Sequence, residues 1–463
     1  MNDSPWLGDA CSLVDAFRNG ERSPREELEA SLAAVDRSDL NAFSFIDAER
    51  ARTWCDAADI AKPFGGVPFG VKELTSVQGW PATEASVVFK DDIATKTSTM
   101  VTRLIDDGGM VPFGLTTASE FGGINLTRTK LNGSTKNPWN LAHTPGGSSG
   151  GAAAAVAGGI CSIASGGDGG GSIRIPAGFT GLVGLKHTYG RIPKGPSMVM
   201  ASLTAVSGCL ARSIRDAARW IDVTNGHDSR DPYSLPRVDG WEAGLGTYRE
   251  SLRGKRVAII PGLGRATVHP ELADAVRHHA AMLIADAGMR VVDVEMPIPE
   301  LSWEWAIAGM SEIVMELGDR YPECADDLTP EIAFGLKMAH KIYDINARGR
   351  IEAQRVKMNE AMAAVFDQVD FVIGSTNPDI AFGCDGPMPQ MVDGKKVALG
   401  NNGALTIPAN IYGSPAIQIP IGVSERGGLP YGMQILAAHH REAWLLDLGL
   451  IVESERPWSL VAP

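Results

Sequence analysis

Residues 146–186 read GGSSGGAAAAVAGGICSIASGGDGGGSIRIPAGFTGLVGLK, and no other segment restricts the possible folds so strongly. Two glycine–serine clusters, residues 146–151 and 166–172, flank an alanine-rich run. Glycine permits backbone angles that other residues avoid and lets main-chain N–H groups approach a ligand closely. Two such clusters, each carrying serine, point to a site built from backbone donors and hydroxyls. A flexible linker has similar composition, but it fits poorly here. Residues 152–157 favour a helix, and Ile173, Ile175, Phe179, Leu182, Val183 and Leu185 need burial.

The surrounding chain is long enough to bury such a segment. Its 463 residues correspond to about three domains on length alone. The 44% hydrophobic and 21% charged content is that of a globular protein with a large core. A net charge of −13 argues against nucleic acid or an anionic membrane as the main partner. No basic run with interleaved aromatics occurs, and no apolar run reaches transmembrane length. The six cysteines form no CxxC pair and read as free thiols in a reducing cytoplasm. The start MNDSPWLGDACSL lacks a basic region followed by an apolar run, so no signal peptide is expected.

The first sixty or so residues read as helices. Ser23-Pro24-Arg25-Glu26 supplies an N-cap serine, a proline at the first helical position and a glutamate at the third. Leu28, Leu32 and Val35 then share one face, and a second helix is expected over 48–60. GVPFGVKEL at 66–74 alternates as a strand, with Lys72 near its end. From this stretch alone Lys72 is either an ordinary solvated side chain or a buried amine. Burial would lower its pKa and make it a base.

Helices are further expected over 98–107, 213–223, 270–287 and 441–454, and strands over 110–115, 256–261, 290–295, 369–374, 416–422 and 431–436. Alternation of these elements implies a sheet with helices packed on it. Residues 302–365 read as largely helical and rich in Met and Trp. Most of Trp303, Trp305, Met310, Met315 and Met338 are expected in the core, with some lining an adaptable apolar pocket. Trp303, Met310 and Cys384 are the candidates for the pocket wall.

The usual nucleophile and phosphate motifs are absent. Neither Ser148 nor Ser172 sits in GxSxG, and there is no GxxxxGK[ST]. Nine histidines include no HExxH, and the adjacent pairs His278-His279 and His439-His440 face different ways on a helix. No metal site and no cofactor are expected.

Three elements do combine: GVPFGVK with Lys72, GGSSGG, and GGDGGGSIRIPAGFTGLVGLK. Together they resemble the amidase signature family, whose members use a Ser–cis-Ser–Lys triad. Ser148 and Ser172 lie 24 positions apart, as in that family. The likeness continues through the N-terminal capped helices, NPWN, GLKHTYGRIP and LTIPANIYGSPAIQIPIG. It therefore covers nearly the whole chain. It implies one α/β domain over 1–463, with a central mixed twisted sheet covered by helices on both faces. Within that domain lie an N-terminal helical segment (1–65), a catalytic core (66–230) and a helical pocket segment (300–366).

Carried over position by position, the resemblance makes Ser172 the nucleophile and Ser148 the bridging serine, on a cis peptide after Gly147. It makes Ser149 a hydrogen-bonding support and Lys72 a base that is neutral in the resting enzyme. The N–H groups of Gly169, Gly170, Gly171 and Ser172 would form the oxyanion hole. Asp168 and Arg174, otherwise surface charges, would form an ion pair holding the glycine loop. The sequence departs from the family at three places. Gly167 replaces a threonine common before the aspartate, and Gly169 replaces a larger residue common after it. Ser207-Gly208-Cys209 stands where a Gly-Pro turn is usual. The first two imply a roomier or more mobile loop.

The resemblance implies a cytoplasmic, serine-dependent hydrolase of small aryl or alkyl amides, monomeric or homodimeric. The same chemistry extends to carbamates (urethanes), which share the acyl carbon and a nitrogen leaving group. Two alternatives remain open at this point. One is the glutaminase A-type subunit of a tRNA-dependent amidotransferase, which should present a cation for the glutamine carboxylate. The other is a non-catalytic binding protein on the same scaffold, against which stand all three triad positions.

Overall fold

A strand buried on both faces sends alternate side chains into two different cores. Phe371 and Ile373 join one apolar cluster while Val372 joins another. Met433, Ile435 and Ala437 likewise join the first cluster, and Leu436 the second. These segments lie within one eleven-stranded sheet in the computed structural model. It describes residues 4–197, 203–300, 302–398 and 400–463, with residues 302–304 described by their backbone.

In chain order the sheet strands are β1 (Phe43–Ile46), β2 (Pro68–Lys72), β3 (Val111–Thr116), β4 (Ile163–Asp168), β5 (Val183–Lys186) and β6 (Val206–Ala211). They continue with β7 (Arg256–Ile259), β8 (Arg290–Val291), β9 (Phe371–Ser375), β10 (Ala416–Val423) and β11 (Pro430–Ala437). Their spatial order is β1-β3-β2-β4-β6-β5-β10-β11-β9-β7-β8. The sheet is mixed. β2 runs parallel to β3 and β4, and β7 runs parallel to β8 and β9. The other pairings are antiparallel.

Local signals account for most helices. α1 spans Ala10–Arg18. α2 spans Pro24–Arg37 and carries the expected capping box, with Ser23 and Glu26 bonding each other's backbone N–H. Leu28 is fully buried, and Leu32 and Val35 pack partly buried against the same cluster. α3 (Ala48–Asp56) stops short of Ile60. Residues 43–46, expected as helix, are an edge strand instead. The alternating FSFI segment pairs antiparallel with β3. α4 spans Thr99–Asp106, α5 Gly150–Ala157, α6 Arg174–Thr180, α7 Ile214–Thr224 and α8 Pro270–Ala287.

The helical segment after residue 301 comprises α9 (Ser302–Leu317), α10 (Pro330–Ile342) and α11 (Ile345–Gln368). Its Met and Trp residues are less buried than expected. On α9, Trp305 and Met310 are partly buried and Met315 is exposed, because this helix stands over a cleft rather than inside the core; Met338, on α10, is also partly buried. α12 (Ile407–Tyr412) and α13 (Glu442–Glu455) complete the helices used below. No helix among the described residues is long and apolar enough to cross a membrane. The six cysteines are buried and unpaired.

Residues 146–186 are anything but a linker. They form α5, β4, α6 and β5, and every residue of α5 is buried. Ser148 and Ser149 lead directly into α5, and Ser172 stands just before α6.

Candidate active site

Lys72 ends β2, the strand beside β4. Its backbone N–H donates to Ser165 Oγ (2.8 Å), which ties the strand end to β4. Its side chain is 4% exposed, and Nζ lies 2.7 Å from Ser148 Oγ. Burial lowers the amine's pKa to about 7, although the negative charges of Asp168 and Glu84 pull the other way. Lys186 is equally buried and also lowered to about 7 by burial and the Arg174 charge. Its Nζ donates to the carbonyl of His187 and bonds no serine hydroxyl among the described residues. Geometry, rather than depressed basicity alone, sets Lys72 apart.

The peptide between Gly147 and Ser148 is cis. Thr127 Oγ1 donates to the Gly146 carbonyl (2.8 Å), and the Ser119 N–H donates to the Ser148 carbonyl (3.3 Å). Ser149 Oγ sits against β4, 3.3 Å from both N and O of Gly167. Ser172 is 7% exposed and shares a cleft of about 280 Å³ with Lys72 and Ser148. No hydrogen bond holds its hydroxyl among the described residues.

A fully buried ion pair underpins the loop before Ser172. Arg174 Nε donates to Asp168 Oδ2 (2.9 Å) and Nη2 to Oδ1 (3.0 Å), with both side chains 0% exposed. Burial alone would raise the Asp168 pKa. The Arg174 charge, with hydrogen bonds from Arg174 and Asn410, outweighs it and holds the carboxyl well below the usual range. Arg174 also reaches Asn410 Oδ1, Gln434 Oε1 and the Thr406 carbonyl. Thr406, Asn410 and Gln434 therefore belong to the support of this loop; Thr406 and Asn410 lie in LTIPANIYGSPAIQIPIG, a segment that carries the family likeness but names no role for them. A signal existed for Gln434, a lone amide within the apolar strand YGMQIL.

The four expected oxyanion donors do not share one role. The Gly171 N–H donates to Asp168 Oδ1 at 2.7 Å, so it is engaged in holding the loop. The N–H groups of Gly169, Gly170 and Ser172 have no partner among the described residues. Gly171 has φ +124°, and a Cβ there would come within 2.4 Å of Thr406 Oγ1, so only glycine fits. Gly167 and Gly169 do leave room: added Cβ atoms would meet nothing closer than 3.6 and 3.5 Å. The residues 207–209 expected to differ from a turn lie within β6, paired with β4.

Of the candidate wall residues, Met310 lines the cleft and Cys384 does not. Cys384 packs near Leu141 and Ala142. The Trp303 side chain lies outside the described residues. Trp305, on the same helix, does line the cleft. Among the described residues no cluster of three or more His, Cys, Asp or Glu side chains could hold a metal ion.

A mixed sheet that delivers a buried amine, two serines and free backbone donors to one cleft is the architecture of an amidohydrolase, a hydrolase of C–N bonds. Comparison with known proteins makes the assignment specific. The chain belongs to the amidase signature family, whose Amidase model matches residues 26–446. It is 31% identical to an acylamidase of Rhodococcus erythropolis, over 98% of this chain and 96% of that protein. It is 33% identical to the A-type subunit of the glutamyl-tRNA(Gln) amidotransferase of Akkermansia muciniphila, over 94% of this chain and 96% of that one. Its fold is similar to the crystal structure of a bacterial aryl acylamidase of the same family, with a TM-score of 0.89 and 28% identity over 98% and 97% of the two chains.

Proposed function

We propose that this protein is a free-standing amidase that hydrolyses small, uncharged linear amides, aryl or alkyl, through an acyl-enzyme on Ser172. The observation that carries the reading is the 2.7 Å hydrogen bond between Ser148 and a lysine whose pKa lies at about 7, in the cleft that also holds Ser172. A serine hydroxyl is a weak nucleophile and needs an adjacent base. Neutral Lys72 draws a proton from Ser148, and Ser148 draws one from Ser172 as its Oγ attacks the carbonyl carbon. The developing oxyanion is met by the N–H groups of Gly169, Gly170 and Ser172. The proton returns through Ser148 to the leaving nitrogen, whose protonation is the hard part of amide cleavage. Water then releases the acyl group by the same relay. Aryl carbamates offer the same carbon and leaving nitrogen and fall within the substrate class.

The cleft's apolar lining from Leu74, Phe121, Trp305, Met310 and Ile313 favours this reading over that of a glutaminase acting within a larger assembly. Its described walls carry Glu84, Glu312, Glu316 and Asp168 against Lys72 and Lys194. Asp168 is spent on Arg174, and Lys72 is half neutral near pH 7. Burial raises the Glu84 carboxyl well above the usual range and that of Glu316 to about 7, so the described wall presents no concentrated charge of either sign, and no strongly cationic seat for the carboxylate of free glutamine. Steady-state assays with p-nitroacetanilide, an aryl carbamate and glutamine test the proposal. Release of aryl amine, abolished in Ser172→Ala, supports it. Hydrolysis of glutamine alone would replace it with the amidotransferase reading.

A further inference from the structure

Trp305 reaches the nucleophile loop from α9. Its indole Nε1 donates to the Gly169 carbonyl at 3.0 Å. The ring also lies against Gly170, where an added Cβ would come within 2.6 Å of Cζ2. We propose that Trp305 is a positioning residue that sets the bearing of the oxyanion donors and couples them to the α9 wall of the cleft. The inference rests on the amidase reading above.

The argument starts from the peptide plane. The Gly169 carbonyl and the Gly170 N–H belong to one planar trans peptide and point in opposite directions. A hydrogen bond that pins the carbonyl therefore fixes the direction of the N–H. The next peptide behaves the same way. Thr406 Oγ1 donates to the Gly170 carbonyl (2.6 Å), and the Gly171 N–H points to Asp168 (2.7 Å). Two successive peptides are thus held by side chains remote in sequence. Thr406 belongs to the buried support, whereas Trp305 belongs to the substrate wall.

Gly167 and Gly169 leave this loop little side-chain packing of its own, and the indole contact replaces it. Met310 and Ile313 of α9 also line the cleft. An acyl or leaving group that presses on that wall is therefore sensed at the oxyanion donors, and the pocket acts on turnover more than on binding.

The test is a double-mutant cycle on the full chain with p-nitroacetanilide, with melting temperatures measured in parallel. Trp305→Phe keeps an aromatic ring and loses the donor. It is expected to lower kcat about tenfold with KM within about twofold, less than the 10²–10³ lost when a donor is removed outright. Gly170→Ala should lower kcat by more than about tenfold in the parent and by less than about threefold in a Trp305→Ala background, where room for the methyl exists. A Trp305→Phe enzyme with kcat within about twofold of the parent overturns the inference. So does an equal effect of Gly170→Ala in both backgrounds, or a kcat loss matched by a lower melting temperature without coupling. The Ser172→Ala control separates the two readings: if the parent itself shows no Ser172-dependent turnover, it is the amidase reading that has failed.

Discussion

Replacing Asp168 by Asn removes one charge from a pair in which neither partner touches solvent. Asp168 Oδ1 accepts from Gly171 N, Arg174 Nη2 and Asn410 Nδ2. Oδ2 accepts from Arg174 Nε at 2.9 Å and, at longer range, from the N–H groups of Ile173 and Arg174. Every one of these neighbours is a donor. An amide NH₂ in either position faces donors, and the Arg174 guanidinium is left buried without its counter-charge. Breaking a buried pair in this way costs about 3–5 kcal/mol. An unfolding entropy of about 2.1 cal/mol/K per residue amounts to about 1 kcal/mol/K over 463 residues, so the midpoint should fall by about 3–5 °C. Differential scanning calorimetry of Asp168→Asn measures this. Activity should fall further than stability, since Asp168 also orients the Gly171 peptide of the nucleophile loop. A variant that melts within about 1 °C of the parent and keeps full turnover would refute the idea that this pair supports the site.

Two further outcomes follow from protonation. In the proposed mechanism Lys72 is a base in its neutral form, and its pKa is lowered from 10.5 to about 7, so kcat/KM should rise with pH through about 7 and level off above it. A limb near the ordinary lysine value, measured with a substrate that does not titrate, would exclude Lys72 as that base. Burial also pushes the thiols up, to about 12 at Cys55 and Cys161, and upward at Cys11, Cys209, Cys324 and Cys384. The native protein should therefore resist a disulfide-forming thiol reagent at pH 8 and titrate all six cysteines once denatured. Fast native labelling accompanied by inactivation would contradict the burial.

Sequence periodicity anticipated those elements whose apolar pattern is their own. α8 occupies 270–287 as the sequence implies, and α2 carries the capping box spelled by Ser23 and Glu26. β4 was hidden because IASGGD offers few side chains to alternate, and its place in the sheet comes from neighbours distant in sequence. The short edge strand β1 lay in a region of helical patterning and depends on β3 for its pairing. At the site, the family resemblance pointed to Lys72, Ser148 and Ser172, where the residues alone left Lys72 open, and the fold brings all three to one cleft. Thr406 and Asn410 lie in a segment of family likeness and Gln434 stands out in its apolar strand, but what they support was not legible, because each acts on a loop more than 230 residues away in sequence. The engagement of Gly171 by Asp168 was equally hidden: a run of glycines does not reveal which N–H is already occupied.

The central claim is that Ser172 becomes acylated with Lys72 as the ultimate base. Intact-protein mass spectrometry after treatment with a fluorophosphonate, followed by peptide mapping, tests it most directly. One adduct per chain on Ser172 is expected, absent from Ser172→Ala and formed much more slowly in Lys72→Ala. A folded protein that takes no label, or takes it on another residue while Ser172 stays free, would contradict the account.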